Sequence, residues 1–164
     1  MQDITRGALH LAMQITGSHD EAMDILQTAV IKALEYRHAP RPGEDGYKAW
    51  FYRVVRNQAI DWLRYEKRFD RDAGIEDQVV DHDPGRHLHE AGRKLSLQRA
   101  LKELDAEQRE IICLKDFHDF SYAEIADIMG IEKGTVMSRL HRARMALKMK
   151  LSAMSEFAGG EYEM

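Results

Sequence analysis

Apolar residues recur at three- and four-residue spacings along almost the whole chain, and no segment alternates over the roughly four to eight residues that a half-buried strand needs. That constraint leaves an all-α fold. A first helix is expected from about Ile4 to Ile15, stopped at Gly17. In the following Ser18-His19-Asp20-Glu21, Ser18 can cap a second helix, and Glu21 stands three residues on, the spacing of a capping box. Ala22, Ile25, Leu26, Ala29, Val30, Ala33 and Leu34 then form one apolar stripe that ends near Tyr36. Arg37 to Gly46 holds two prolines and two glycines and reads as a loop. A third helix follows from about Tyr47 to Phe69.

Between Asp70 and Arg86 the composition turns acidic and poor in large apolar side chains, the mark of a flexible linker. Helical pattern resumes from about His87 to Leu104, again in AEQREIICLKDF, and in the last stretch from Ser121. With 164 residues the chain can build two small helical units. The expected division is a unit over 1–69, a linker over 70–91, a second unit over 92–154 and a tail over 155–164.

The stretch SYAEIADIMGIEKGTVMSRLHRARMAL, from Ser121 to Leu147, carries the most chemistry. Ser121 and Glu124 have capping-box spacing, and Ile125, Ile128 and Met129 supply one buried face. Gly130 can close that helix in the left-handed conformation without a Cβ penalty. The helix that starts near Glu132 has Val136, Leu140, Ala143 and Leu147 on one side. Ser138, His141, Arg142 and Met145 lie opposite, with Arg139 and Arg144 at the edges. Short helix, glycine turn, and a second helix with an apolar back and a cationic front is the sequence form of a helix-turn-helix. Arginine can donate bidentately to guanine, and serine and histidine can reach base edges or phosphates. Lys133, Arg139, Arg144, Lys148 and Lys150 would supply attraction to phosphates whatever the base sequence.

Composition narrows the alternatives. The net charge is −4, so no whole-molecule field draws the chain to nucleic acid, and such binding must be local. The single cysteine, Cys113, lies in the apolar run IICL and reads as a buried thiol. No window approaches the ~20 apolar residues of a membrane span, and the N-terminus lacks a basic-then-apolar signal pattern. A protein of the cytoplasm, with no membrane insertion, is expected. His82, Asp83, His87 and His89 could be imagined to hold a metal, but their spacing is irregular, so no metal and no cofactor is assigned. No nucleophile with a base, no phosphate loop and no paired carboxylates suggest catalysis, and no catalytic residue is assigned.

The residues resemble a known family. SYAEIADIMGIEKGTVMSRLHRARMAL is similar to region 4 of bacterial sigma factors of the extracytoplasmic-function (ECF) group. DILQTAVIKAL (Asp24–Leu34) resembles the region 2 helix that contacts polymerase, and AWFYRVVRNQAIDWLR (Ala49–Arg64) resembles the promoter-melting helix of that region. The resemblance implies a dissociable subunit that directs RNA polymerase core enzyme to promoter DNA. Asp24, Gln27, Thr28 and Lys32 would then meet the β′ clamp coiled coil, and the second unit the β flap. Phasing agrees, since those four residues avoid the apolar stripe of their helix. Lys133, Thr135, Met137, Ser138, Arg139, His141, Arg142 and Lys148 would meet the upstream promoter element. Arg37, Tyr47, Lys48, Tyr52, Arg53, Arg56 and Arg64 would serve the downstream element and its melting, because rings stack on unpaired bases while cations hold phosphates. Trp50 and Trp62 are expected in the core, and Asn57 and Asp61 fit a structural or a DNA-contacting role equally. An anti-sigma factor is implied as a further partner. The family pattern is broken at Met137, where a basic residue is frequent, and in the short first helix. The competing reading is a helix-turn-helix regulator that binds DNA without polymerase. It would need a dimer interface or a sensor pocket, and the first unit suggests neither.

Overall fold

The computed structural model describes the backbone of residues 1–73 and 90–160 and the side chains of 1–69 and 92–155. The elements are α1 (Gln2–Thr16), α2 (His19–Glu35), α3 (Tyr47–Ala73), α4 (Glu90–Lys102), α5 (Ala106–Ile112), a π turn (Cys113–Phe117), α6 (Tyr122–Met129) and α7 (Lys133–Gly160). No strand occurs among the described residues. The all-α fold expected from the spacing is the fold observed. Residues 74–89 of the expected linker, with the histidines of HDPGRHLHE, lie outside the described residues. At its edges, α3 continues to Ala73 and α4 begins at Glu90.

Local signals account for the helix ends. Gly17 closes α1 at φ 72°, and Gly130 closes α6 at φ 67°, conformations that cost a glycine little. At Ser121 the capping box is complete, with each of Ser121 and Glu124 accepting from the other's backbone N–H. At Ser18 only half of it forms. The Ser18 hydroxyl accepts from the Glu21 N–H, but no return bond from Glu21 is made. One expected element differs in kind. The run AEQREIICLKDF begins as α5 and then widens to the π turn, where the His118 N–H reaches the Cys113 carbonyl. Asp119 follows at φ 53°, a left-handed position that a short polar side chain tolerates. The wider turn redirects the chain, so that His118 and Phe120 point at α3 rather than continuing around a helix.

Lobe 1 consists of α1, α2 and α3 packed on one another, with Ala8, Leu11, Ile15, Ile25, Phe51 and Val55 in its interior. Lobe 2 is built on α7, against which α4, α5 and α6 pack, with Ile111, Leu114, Ile125, Ile128, Val136 and Leu140 buried. Each fully buried aliphatic side chain of this kind contributes about 1.5–3 kcal/mol. Trp50 and Trp62 are half-buried against the core. Leu34 departs from the apolar stripe expected of α2. It is 82% exposed although the neighbouring Ala33 packs on the core, because at 100° per residue it falls at the edge of the stripe.

The two lobes are seated on each other. Helix α3 packs against α6, and α1 against α5 and the π turn, so that one continuous apolar core runs through both. Within lobe 1, Gly7 on α1 makes room for Tyr52 of α3, since a Cβ there would overlap the Tyr52 hydroxyl.

Candidate nucleic-acid interface

On α7 the two faces separate as the spacing predicts. Val136, Leu140 and Ala143 are buried, Leu147 is half-buried, and Lys133, Met137, Ser138, His141, Arg142, Met145 and Lys148 are exposed. The anchoring of α7 explains which residues are available. Arg139 donates to Glu107 on α5 at 3.2 Å, and Arg144 donates to both carboxylate oxygens of Asp116 on the π turn. The bond to Asp116 raises the Arg144 guanidinium further above its ordinary range. Lys150 reaches Glu103 at 3.3 Å. These cations therefore orient α7 within its lobe. Among the described residues Arg142 bonds only the Ser138 carbonyl of its own helix, and Lys148 is exposed. Thr135 is half-buried at the start of the helix. The result is an open convex face with Ser138, His141 and Arg142 in its middle and lysines at both ends, a shape and charge suited to a major groove.

On α2, Asp24, Gln27, Thr28 and Lys32 are exposed. Sequence reading missed two neighbours on the same face, Ile31 and Leu34, 54% and 82% exposed. From position 24, both 27 and 28 lead on to 31 and 34 by three- and four-residue steps, so the face is amphipathic rather than purely polar. An exposed Ile and Leu framed by polar groups suit another protein's helix better than water. Leu34 had been counted in the helix's own core stripe, and Ile31 had been assigned to no face.

On α3, the residues assigned to promoter melting divide in two. Arg37, in the preceding loop, and Arg64 are exposed. Tyr47 is buried and stacks on Phe51 at 5.9 Å between ring centres. Lys48, Tyr52, Arg53 and Arg56 all face lobe 2. Lys48 Nζ donates to the His118 carbonyl at 3.2 Å and lies 4.7 Å above the Phe120 ring. Tyr52 is 1% exposed, meets Phe120 edge-on at 4.8 Å, and has its hydroxyl 3.4 Å from His118 Nδ1. Arg53 pairs with Asp127 at 3.2 Å. Arg56 Nε donates to Glu110 at 2.6 Å.

Glu110 was not singled out in the sequence, and it is the one fully buried charged side chain among the described residues. Burial pushes its carboxyl above the ordinary range, and the Arg56 guanidinium works against that shift. The available signal was its place four residues before Leu114, on the side of α5 that has to be covered. A second polar cluster lies beside it. His10 Nδ1 and His118 Nε2 are 3.4 Å apart, and Gln14 stands at the far side of His10. Burial, reinforced by the charges of His10 and Lys48, depresses His118 to about 4, and burial likewise lowers His10. Both shifts favour the neutral rings. Arg109 completes the contact by donating to the Gln14 carbonyl at 2.8 Å. Among the described residues no group of three or more His, Cys, Asp or Glu side chains could hold a metal ion. Among them, too, no helix is long and apolar enough to cross a membrane.

Comparison with known proteins bears on both lobes. Residues 2–69 match the family described as Sigma-70 region 2, and residues 94–147 match Sigma-70, region 4. The chain is 33% identical over 143 residues to the RNA polymerase sigma factor SigV of Bacillus subtilis, covering 87% of this chain and 82% of that protein. It is 32% identical over 145 residues to the ECF RNA polymerase sigma factor SigL of Mycobacterium tuberculosis, with 87% and 81% covered. Among solved structures, the sigma factor RpoE in complex with the anti-sigma factor NepR from Bartonella quintana superposes with a TM-score of 0.76. It is 30% identical, with 91% of this chain and 92% of that chain covered.

Proposed function

The chain belongs to the ECF group of RNA polymerase sigma factors in the sigma-70 family, and from that membership we propose which of its surfaces does each part of a sigma factor's work. It is a promoter-directing subunit of RNA polymerase rather than a regulator that binds DNA alone. The exposed face of α7, with Ser138, His141 and Arg142 at its centre, reads the upstream promoter element. The amphipathic face of α2, from Asp24 to Leu34, docks on the β′ clamp coiled coil, and lobe 2 reaches the β flap. Lobe 1, over 1–69, engages the downstream element through Arg37, Arg64 and the α3 face of Lys48, Tyr52, Arg53 and Arg56. Lobe 2 occupies 92–154. The chain works in the cytoplasm, and an anti-sigma factor regulates it, as the sigma factor of similar fold is found bound to one. The observation that carries the assignment is the pair of matches to sigma regions 2 and 4, in order along one chain. It is tested by adding the purified chain to core polymerase and measuring run-off transcripts from a defined promoter. Absence of promoter-dependent transcripts across a promoter library would overturn it.

Two substitutions test the surfaces separately. Asp24→Ala with Gln27→Ala should weaken binding to core polymerase while leaving helix content unchanged by circular dichroism, because both side chains lie outside the core of α2. Undiminished binding would remove α2 from the polymerase interface. On α7, Arg142→Ala should cost about 1–3 kcal/mol on the matched upstream element and relax preference at one base position. Lys148→Ala should weaken all sequences alike and make the salt dependence shallower. Binding of both variants to matched and scrambled elements across a salt series discriminates them. An equal loss on both DNAs for Arg142→Ala would place its guanidinium on phosphates instead of bases.

A further inference from the structure

The first two turns of α7 carry two residues that the packing of the chain does not call for. Met137 is 53% exposed, on the open face between Lys133, one turn before it, and His141, one turn after. A basic side chain in that place would serve phosphates or a guanine edge, and a thioether can serve neither. Gly134 is its neighbour at three-residue spacing, also in line with Ser138 and His141. Among the described residues, a Cβ on Gly134 would meet nothing within 4 Å beyond its own turn of helix. Glycine within a helix is destabilising relative to alanine, and no neighbour in the fold requires it here. The space in front of Gly134 is thus of use only to something outside the chain.

We propose that Met137 is a specificity-determining residue that packs on the 5-methyl group of one thymine in the upstream promoter element, with Gly134 giving the clearance that lets this end of α7 come close enough. The proposal rests on the assignment of the open face of α7 to that element. In a helix-turn-helix the N-terminal residues of the second helix reach the base edges, and Met137 stands in that part of α7. Of the four bases, only thymine presents an apolar group in the major groove, so an apolar side chain placed there has one partner of its own chemistry. Methionine is unbranched and polarizable, and can follow a methyl group without an exact fit. A Cβ at position 134 would hold the helix off the groove floor beside that contact. Arg142 and Met137 then read by different means, the first through hydrogen bonds to a base edge and the second through burial of a methyl group. Burial of one such group is worth about a fourfold difference between thymine and uracil, which differ in that methyl alone.

The test uses the full chain bound to core polymerase. Duplexes randomised over the upstream element are selected for retention, and each thymine of the preferred sequence, on either strand, is then replaced in turn by uracil. One replacement should weaken retention by the parent chain about fourfold. In Met137→Ala the same replacement should make no difference, because the methyl has already lost its partner, and Met137→Leu should restore the dependence. Gly134→Ala should keep the thermal midpoint or raise it, yet bind the thymine duplex at least fourfold more weakly than the parent. A preferred sequence without thymine, or uracil tolerated at every position, overturns the proposal. So does an equal loss on uracil in the parent and in Met137→Ala, which would give the methyl to another residue. A Gly134→Ala variant that binds as the parent does overturns the clearance at that turn. If the parent selects no upstream sequence at all, the assignment of α7 to that element fails, and the proposal falls with it.

Discussion

Arg56→Ala is expected to lower the stability of the folded chain by about 3 kcal/mol, because removing one partner of a buried ion pair leaves the other charge without compensation. The partner left behind is Glu110, which has no exposed surface. The figure sits at the low end for such pairs because the protein has two escapes. Glu110 can take up a proton, and the lobes can part to rewet it. The first escape sets the pH dependence. Burial already pushes the Glu110 carboxyl above 4.5, and loss of Arg56 removes the group that restrained it. A carboxyl with a raised folded-state pKa binds its proton more tightly folded than unfolded. The deficit is therefore smallest in acid and grows as pH rises through the folded-state value. Urea unfolding at a mildly acidic and a mildly alkaline pH should show the variant losing more at the higher pH, with Arg56→Lys recovering part of the loss. A variant as stable as the parent at both would mean that the pair contributes nothing.

The other large effect is expected at Leu140. Leu140→Ala should cost about 3 kcal/mol, from lost burial plus the cavity left behind. Leu140 is 2% exposed on the inner face of α7, where α5 and α6 both pack. Lobe 2 is small, so this is a large fraction of what holds it together. The thermal midpoint should fall by roughly 10–20 °C if the loss per kcal/mol follows that of small domains. Binding to the upstream element should fall with it at the growth temperature, although Leu140 touches no DNA. Met145→Ala, on the exposed side of the same helix, is the control and should change stability by less than about 0.5 kcal/mol. Equal losses at 140 and 145 would mean that α7 is rotated from the orientation described.

The two variants mark a division that runs through the whole molecule. Residues that act within one helix were legible from the chain alone. The opposed faces of α7 follow from 100° steps between neighbours, so Val136, Leu140 and Ala143 had to share a side and Ser138 and Arg142 had to oppose them. The ends at Gly17, Ser121 and Gly130 follow from backbone preferences of single residues. Even so, the edge of the core stripe on α2 was misjudged at Leu34, because how wide a stripe is covered depends on how α1 and α3 pack against α2.

Tertiary structure alone decided the partners of the cations. Arg56 meets Glu110 across 54 positions of sequence, Tyr52 meets His118 across 66, and His10 meets His118 across 108. Helical periodicity assigns a residue to a face, but it carries no information on which other face will cover it. An exposed arginine in front of DNA and an arginine held by a buried glutamate leave the same trace in a helical pattern. Which of the two Arg56 is depends on the packing of α3 against lobe 2, since a charge can be buried there only where an opposite charge is brought to it.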